Sequence, residues 1–434
     1  MDCVVLHQVL SKFRDLIYNK FGLRISDYPT ISSLSFAIYR KNYLSEHKIP
    51  LTKGPIFYFI QESYTGGSTD MYIPYGSNIY CYDVNSLYPS VMKNNSYPVG
   101  VINEFSGDIT ILNDIYWIGD ATVSTKRDLI HPYLQIHNKI KSGYRTISPN
   151  GHFNMKIHSP EYLNAIKDYN IIIKNGYFFN KENIFEKFVD DLYALRMNYP
   201  KGDPMNFTCK LILNSLYGRF GMKPIITRQE FMITKDFKDL TTKYDILDVL
   251  DLDDSGLFVI YEDTKLFNKD HKISISIASA VTSDARTYMS KYKNNSNYQL
   301  FYSDTDSIFI DKELPLDDTG NDIGKFKLEY IFKDAIFLGP KLYAGITTNN
   351  EYISKIRGFK NANLVKFEDF KNLLEESSSI HLKQDKWFKF IENSNIIIKE
   401  QIYNLIANDN KRQLIRDNLG KIIRTEAFKM KNIE

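Results

Sequence analysis

Residues 301–310 read Phe301-Tyr302-Ser303-Asp304-Thr305-Asp306-Ser307-Ile308-Phe309-Ile310. Two carboxylates stand two residues apart between apolar, β-type runs. Leu300 and Phe301 lead in, and Ile308, Phe309 and Ile310 lead out. The pattern predicts a hairpin with an acidic tip. In extended chain, residues i and i+2 face the same way, so Asp304 and Asp306 are expected to converge on one point. An ordinary polar turn uses the same residue types, and two stretches upstream decide between the readings.

The first is Ile79-Tyr80-Cys81-Tyr82-Asp83-Val84, which reads as a buried strand ending at an acid. Ser86-Leu87-Tyr88-Pro89-Ser90 follows, with Pro89 placed in the first turn of a helix. Asp83 therefore sits where a strand hands over to a helix. Gathering Asp83, Asp304 and Asp306 is costly, because two unit charges about 4 Å apart repel by about 4 kcal/mol at an effective dielectric near 20. A divalent cation removes that cost. Oxygen-only ligation suits Mg²⁺ shared with substrate phosphates, and two such ions serve an in-line phosphoryl displacement. Backbone N–H groups from Asn85 to Leu87 lie at a helix entrance, a place that holds phosphates. Tyr88 beside them is a flat ring able to press on a sugar.

The second is Lys210-Leu211-Ile212-Leu213-Asn214-Ser215-Leu216-Tyr217-Gly218. On a helix Lys210, Asn214 and Tyr217 fall at i, i+4 and i+7 and share one polar face. A lysine, an amide and a tyrosine in line suit a phosphate tail, a base edge and a stacking surface.

Composition bounds the rest. The 434 residues carry 55 basic and 52 acidic side chains, a net charge of +3, so any basic groove must be local. The 31 tyrosines and 28 phenylalanines serve a core first and base stacking only in the right place. Three scattered cysteines, Cys3, Cys81 and Cys209, argue against a disulfide scaffold or zinc site and for a reducing compartment. No apolar run approaches the roughly 18 residues of a membrane span, and no secretory signal is predicted.

Along the chain, residues 2–20 show helical apolar spacing through Val5, Val9, Leu10, Phe13, Leu16 and Ile17, predicting a packed amphipathic helix. Pro50, Gly54 and Pro55 mark a linker. The glycine pair in Tyr64-Thr65-Gly66-Gly67 permits close approach of another backbone or a phosphate. Residues 100–180 read as short strands and turns, with a small basic cluster at Lys139, Lys141 and Arg145. Helices are expected over 182–198, 205–217 and 275–291. Residues 223–262 read as a turn-rich surface insertion with an acidic run at Asp248, Asp251, Asp253 and Asp254. The tail from 361 reads as mostly helical and ends basic.

Asp83 to Ser90, Lys210 to Gly218 and Tyr302 to Ser307 resemble, in order, motifs A, B and C of family B DNA polymerases. Tyr64 to Gly67 resembles the family's Y-x-G-G element, and Lys341-Leu342-Tyr343 its K-x-Y element. The resemblance covers about residues 60–360. The long gaps between Ser90 and Lys210 and between Gly218 and Tyr302 leave room for the two insertions of the protein-primed subgroup found in organellar linear plasmids and phages.

This resemblance implies an α+β right hand. Its palm is an antiparallel sheet (53–100 and 263–360), and its fingers (181–222) and thumb (361–434) are helical. The insertions are 101–180, contacting a terminal protein that primes synthesis, and 223–262, supporting strand displacement. Residues 1–52 resemble an exonuclease remnant and linker, with Asp2 as its one acid. A lone acid builds no two-metal site, so no 3′–5′ exonuclease activity is expected. Asp83, Asp304 and Asp306 resemble the catalytic acids. Asp83, Val84 and Asp306 are the implied ligands of two Mg²⁺, with Mn²⁺ as a substitute. Ser86, Leu87, Tyr88, Arg196, Lys210, Asn214 and Tyr217 are implied to bind the dNTP, with Tyr88 as a gate against ribonucleotides. Tyr64, Gly66, Gly67, Lys341 and Tyr343 are implied to contact template and primer DNA. A mitochondrial setting follows from the subgroup, with a cytoplasmic plasmid or virus as the alternative. The competing reading is a catalytically silent DNA-binding remnant. An RNA-making polymerase is disfavoured by Tyr88.

Overall fold

The computed structural model describes residues 2–44, 49–140, 143–222, 227–252, 256–262, 273–390 and 395–431. Lys141, Asp253 and Asp254 lie outside them. A seven-stranded sheet, antiparallel throughout, organises the molecule. Its order is Thr69–Met71, Leu300–Asp304, Ser307–Ile310, Tyr75–Val84, Phe326–Gly339, Leu342–Thr347 and Tyr352–Ile356. The expected hairpin is therefore formed, and its second strand lies against the strand that ends at Asp83.

The Tyr75–Val84 strand is central because both its faces are covered. Ile79 and Cys81 pack with Phe301, Phe309, Phe332 and Phe337 on one side. Tyr82 and Val84 join the main core on the other, with Leu87, Val91, Phe185 and Leu216. Alternating side chains of one strand thus feed two cores.

Two helices, Glu186–Met197 and Pro204–Phe220, form an antiparallel pair over the main core. Asp203 caps the second through a 2.7 Å bond from the Met205 N–H, and Pro204 opens it at a position where no N–H is needed. Cys209, Ile212, Leu213, Leu216 and Phe220 are buried, which turns Lys210 to solvent. The Ile275–Lys293 helix runs buried along most of its length.

Residues 97–182 build a second sheet around Trp117, Val123, Phe153 and Tyr169, with strands as long as Tyr169–Glu182 rather than short runs. Two further expectations are corrected. Residues 227–262 are not turn-rich: three antiparallel strands and the Thr234–Thr241 helix surround Leu257, Val259 and Tyr261. The region after 361 is not mostly helical. Among the described residues it holds a 3-10 turn, Ala362–Leu364, one short α-helix, Phe367–Asn372, and then the hairpins Ile380–Phe390/Asn395–Leu405 and Arg412–Arg416/Ile422–Ala427. Ile396-Ile397-Ile398 is a β-branched run that favours strand, and pairing in full register from Ile380 with Leu405 to Phe390 with Asn395 overrides any local helical spacing. The first helix, Asp2–Phe21, forms as expected and packs through Phe13, Ile17 and Phe21, with Val9 and Leu16 partly buried beside them, leaving Val5 and Leu10 exposed.

Candidate active site

Backbone geometry sets the acids. Asp83 lies opposite Ser307 in the sheet, and the Val84 N–H donates to the Asp306 carbonyl at 2.9 Å. Asp306 is thus a neighbour of Asp83 across the strand boundary. Thr305 between the two hairpin acids adopts φ 56°. That left-handed residue breaks the two-residue alternation, so Asp304 and Asp306 do not share one environment as extended chain would require. Asp304 instead turns to Lys341, whose Nζ lies 3.0 and 2.8 Å from its two carboxylate oxygens, and accepts from the Thr69 hydroxyl at 2.7 Å.

Burial first, then the charges of Asp306 and Glu329, push the Asp83 carboxyl up to about 7, against the pull of Lys210 and Lys327. Asp306 is raised mainly by burial and further by Asp304, with Lys210 and Lys341 opposing. Glu329 and Lys327 are residues that sequence reasoning missed. Lys327 pairs directly with Asp83, and a bulge between Leu328 and Tyr330 leaves Glu329 as the extra residue. Charged residues alternating along a strand that flanks the acid were the available signal.

A divalent cation fits this donor set. Two partly buried carboxyls whose proton affinity is raised by burial and by neighbouring carboxylates are what a hard cation relieves, and all the donors are oxygens. Among the described residues no trio of His, Cys, Asp or Glu converges as a closed cage. A carboxylate pair suits an ion that completes its shell with substrate and water. Asp83, Asp306 and the Val84 carbonyl are the groups that would hold it.

A consequence follows for stability without metal. Unfolded, the Asp83 carboxyl loses its proton near pH 4; folded, it keeps it to about 7. Folding stability from this group therefore falls as pH rises from about 4 to 7 and is flat above. In metal-free buffer, Asp83→Asn is expected to stabilise the fold at pH 8 by about 1–2 kcal/mol, the full shift being discounted for partial exposure. At pH 4 the variant should match the wild type. Thermal unfolding at the two pH values checks this.

Several of the other predicted residues contact the acidic turn or one another. Ser86 is left-handed (φ 54°, ψ 59°) and opens the Leu87–Asn94 helix. Its hydroxyl accepts from Arg196 Nη1 at 3.3 Å, and Arg196 Nε reaches Asn206 at 3.2 Å, tying both helices of the pair to the Asp83 turn. The Tyr88 ring stacks on Tyr217, centroids 4.4 Å apart at 21°. Asn214, half-buried, sits one turn before Tyr217. Tyr64 packs close against Gly221, where any Cβ would meet the phenol oxygen at 2.7 Å. Tyr343 is buried against Tyr302, Phe309 and Phe337 and presents no open face, while Lys341 is exposed.

Gly66 faces open space, whereas a Cβ on Gly67 would lie 2.5 Å from the Thr305 methyl. Thr305 also donates its N–H to the Ser68 carbonyl at 2.9 Å. Gly67→Ala is accordingly expected to destabilise the protein by about 1–3 kcal/mol, and Thr305→Gly in the same chain to restore it. Thermal midpoints of the two variants decide the point.

A family model for DNA polymerase type B, organellar and viral, matches residues 1–298. The chain belongs to that family. Among its relatives, the "Probable DNA polymerase" of Ascobolus immersus is 33% identical over 442 residues, covering 100% of this chain and 36% of that protein. The "Probable DNA polymerase" of Neurospora intermedia is 33% identical over 416 residues, 92% of this chain and 42% of that protein. The chain thus spans well under half of these relatives. Among solved structures, Phi29 DNA polymerase complexed with primer-template DNA and incoming nucleotide shares the fold, with a TM-score of 0.69 and 20% identity over 91% of this chain and 70% of that one. No helix among the described residues is long and apolar enough to cross a membrane.

Proposed function

We propose that this chain catalyses template-directed DNA synthesis: attack of a primer hydroxyl on the α-phosphate of a dNTP, with loss of pyrophosphate. The observation that carries the reading is the placement of Asp83, at the end of its strand, beside Asp306 in the turn of the adjoining hairpin, each feeling the charge of Lys210. Asp83, Asp306 and the Val84 carbonyl would hold Mg²⁺, replaceable by Mn²⁺, which would supply charge neutralisation at the phosphates and favour the ionised hydroxyl. Lys210 and Arg196 stand over the triphosphate, with the Ser86 and Leu87 N–H groups at the helix entrance beneath it. Tyr88 walls the sugar, and Asn214 and Tyr217 line the nascent pair. Tyr64, Gly66 and Gly67 hold template, and Lys341 meets the primer end, with Tyr343 packed behind it. Catalysis by such a site is mostly positioning and charge neutralisation.

The division into palm (53–100 and 263–360), fingers (181–222), insertions (101–180 and 223–262) and thumb (361–434) belongs to the same proposal. So does priming by a terminal protein docked on the first insertion. An organellar, mitochondrial setting is supported by the family's organellar and viral range and by the fungal relatives. Extension of a primed template with Mg²⁺ and dNTPs tests the activity. A purified chain that shifts primed DNA in a gel yet never extends it would favour the silent remnant.

A further inference from the structure

The first insertion grips the Tyr64–Gly67 segment through a buried ion pair. Arg286, on the Ile275–Lys293 helix, donates from Nη1 to the Thr65 carbonyl at 2.6 Å and from Nη2 to Glu161 at 3.2 Å. The Arg286 and Glu161 side chains are 6% and 2% exposed. Glu161 sits on the short Ser159–Ala165 helix of the insertion. His158, one turn before it, bonds the hydroxyl of Ser63 at 3.1 Å, just ahead of the segment, so the chain is held at both Ser63 and Thr65.

Stability alone does not account for this pair. A buried ion pair is commonly no more stabilising than apolar side chains of the same volume. Here it is also incompletely satisfied: Glu161 Oε2, Arg286 Nε and Thr65 Oγ1 have no partner among the described residues. What the pair does supply is direction, because a guanidinium fork fixed at one end by a carboxylate aims its other end at one carbonyl. Thr65 lies two residues before Gly67, which presses on Thr305 at the tip of the acidic hairpin.

We infer that Glu161 is a positioning residue for polymerisation: through Arg286 it sets the Tyr64–Gly67 segment against the acidic hairpin, making the first insertion part of the template-holding apparatus. The inference rests on the polymerase reading for its functional half; the positioning half stands on geometry alone.

Glu161→Gln, Arg286→Met and the apolar pair Glu161→Leu/Arg286→Met test it, each measured by thermal unfolding, amide hydrogen exchange at residues 64–68, affinity for a primed template and KM for dNTP. Both single variants are expected to weaken primed-template binding about tenfold or more, with the dNTP KM changed by no more than about twofold. The apolar pair is expected to recover the thermal midpoint while exchange at 64–68 stays fast and template binding stays weak. Recovery of all three together would make the pair a plain packing element and overturn the inference, as would single variants that bind template like the wild type. A wild-type chain that fails to extend primed DNA would remove the polymerase reading, yet the exchange measurement would still decide the positioning.

Discussion

Asp83→Ala and Asp306→Ala are each expected to lower dNTP incorporation on a primed template by about a thousandfold or more. On the proposed reading each carboxylate would help hold cations worth several kcal/mol of transition-state stabilisation, and each 1.36 kcal/mol is a factor of ten in rate. Neither loss can be compensated locally, because Glu329 already pairs with Lys327 and Asp304 is bound to Lys341 and Thr69. Asp304→Asn supplies the contrast. Its side chain is turned from the pair, so its loss should cost closer to about tenfold, through a freed Lys341. Single-turnover incorporation at saturating dNTP separates the cases. Equal losses at all three positions would mean that the hairpin acids act as one cluster, and full activity in the Asp83 and Asp306 variants would end the polymerase assignment.

The second large effect concerns the sugar. Tyr88→Val is expected to reduce discrimination against ribonucleotides by about ten- to a hundredfold, since overpacking by a few atoms costs about 1–3 kcal/mol. The ring can act as a wall because it cannot swing: Tyr217 stacks on it at 4.4 Å, and the left-handed Ser86 fixes the start of its helix. Tyr217→Ala should relax selectivity less, by loosening the ring without removing it. The ratio of kcat/KM for matched dNTP and rNTP measures both. An unchanged ratio in the Tyr88 variant would place the sugar elsewhere.

Much of the site was legible because its parts are local. A strand running into Asp83, a proline in the first helical turn and an acidic tip between apolar, β-type runs each reveal themselves within ten residues. Lys210, Asn214 and Tyr217 share a face because the helix repeat puts them there. Illegible were the partners that arrive across strands. Glu329 reaches Asp83 only through a bulge, and Lys341 reaches Asp304 from the turn between the Phe326–Gly339 and Leu342–Thr347 strands. The region after 361 misled for a related reason: its hairpins are held by pairing between distant residues, which no local spacing records.

The chain's own order of residues decided which groups stand at strand ends, which helix face is polar and which turns need glycine, since backbone propensity and side-chain period act over a few residues. Only the tertiary structure decided how the three acids divide. One left-handed residue, Thr305, leaves Asp306 beside Asp83 and hands Asp304 to Lys341. It alone also put Glu161 and Arg286 behind Thr65, because burial of charge is settled by what packs around it and not by its neighbours in sequence.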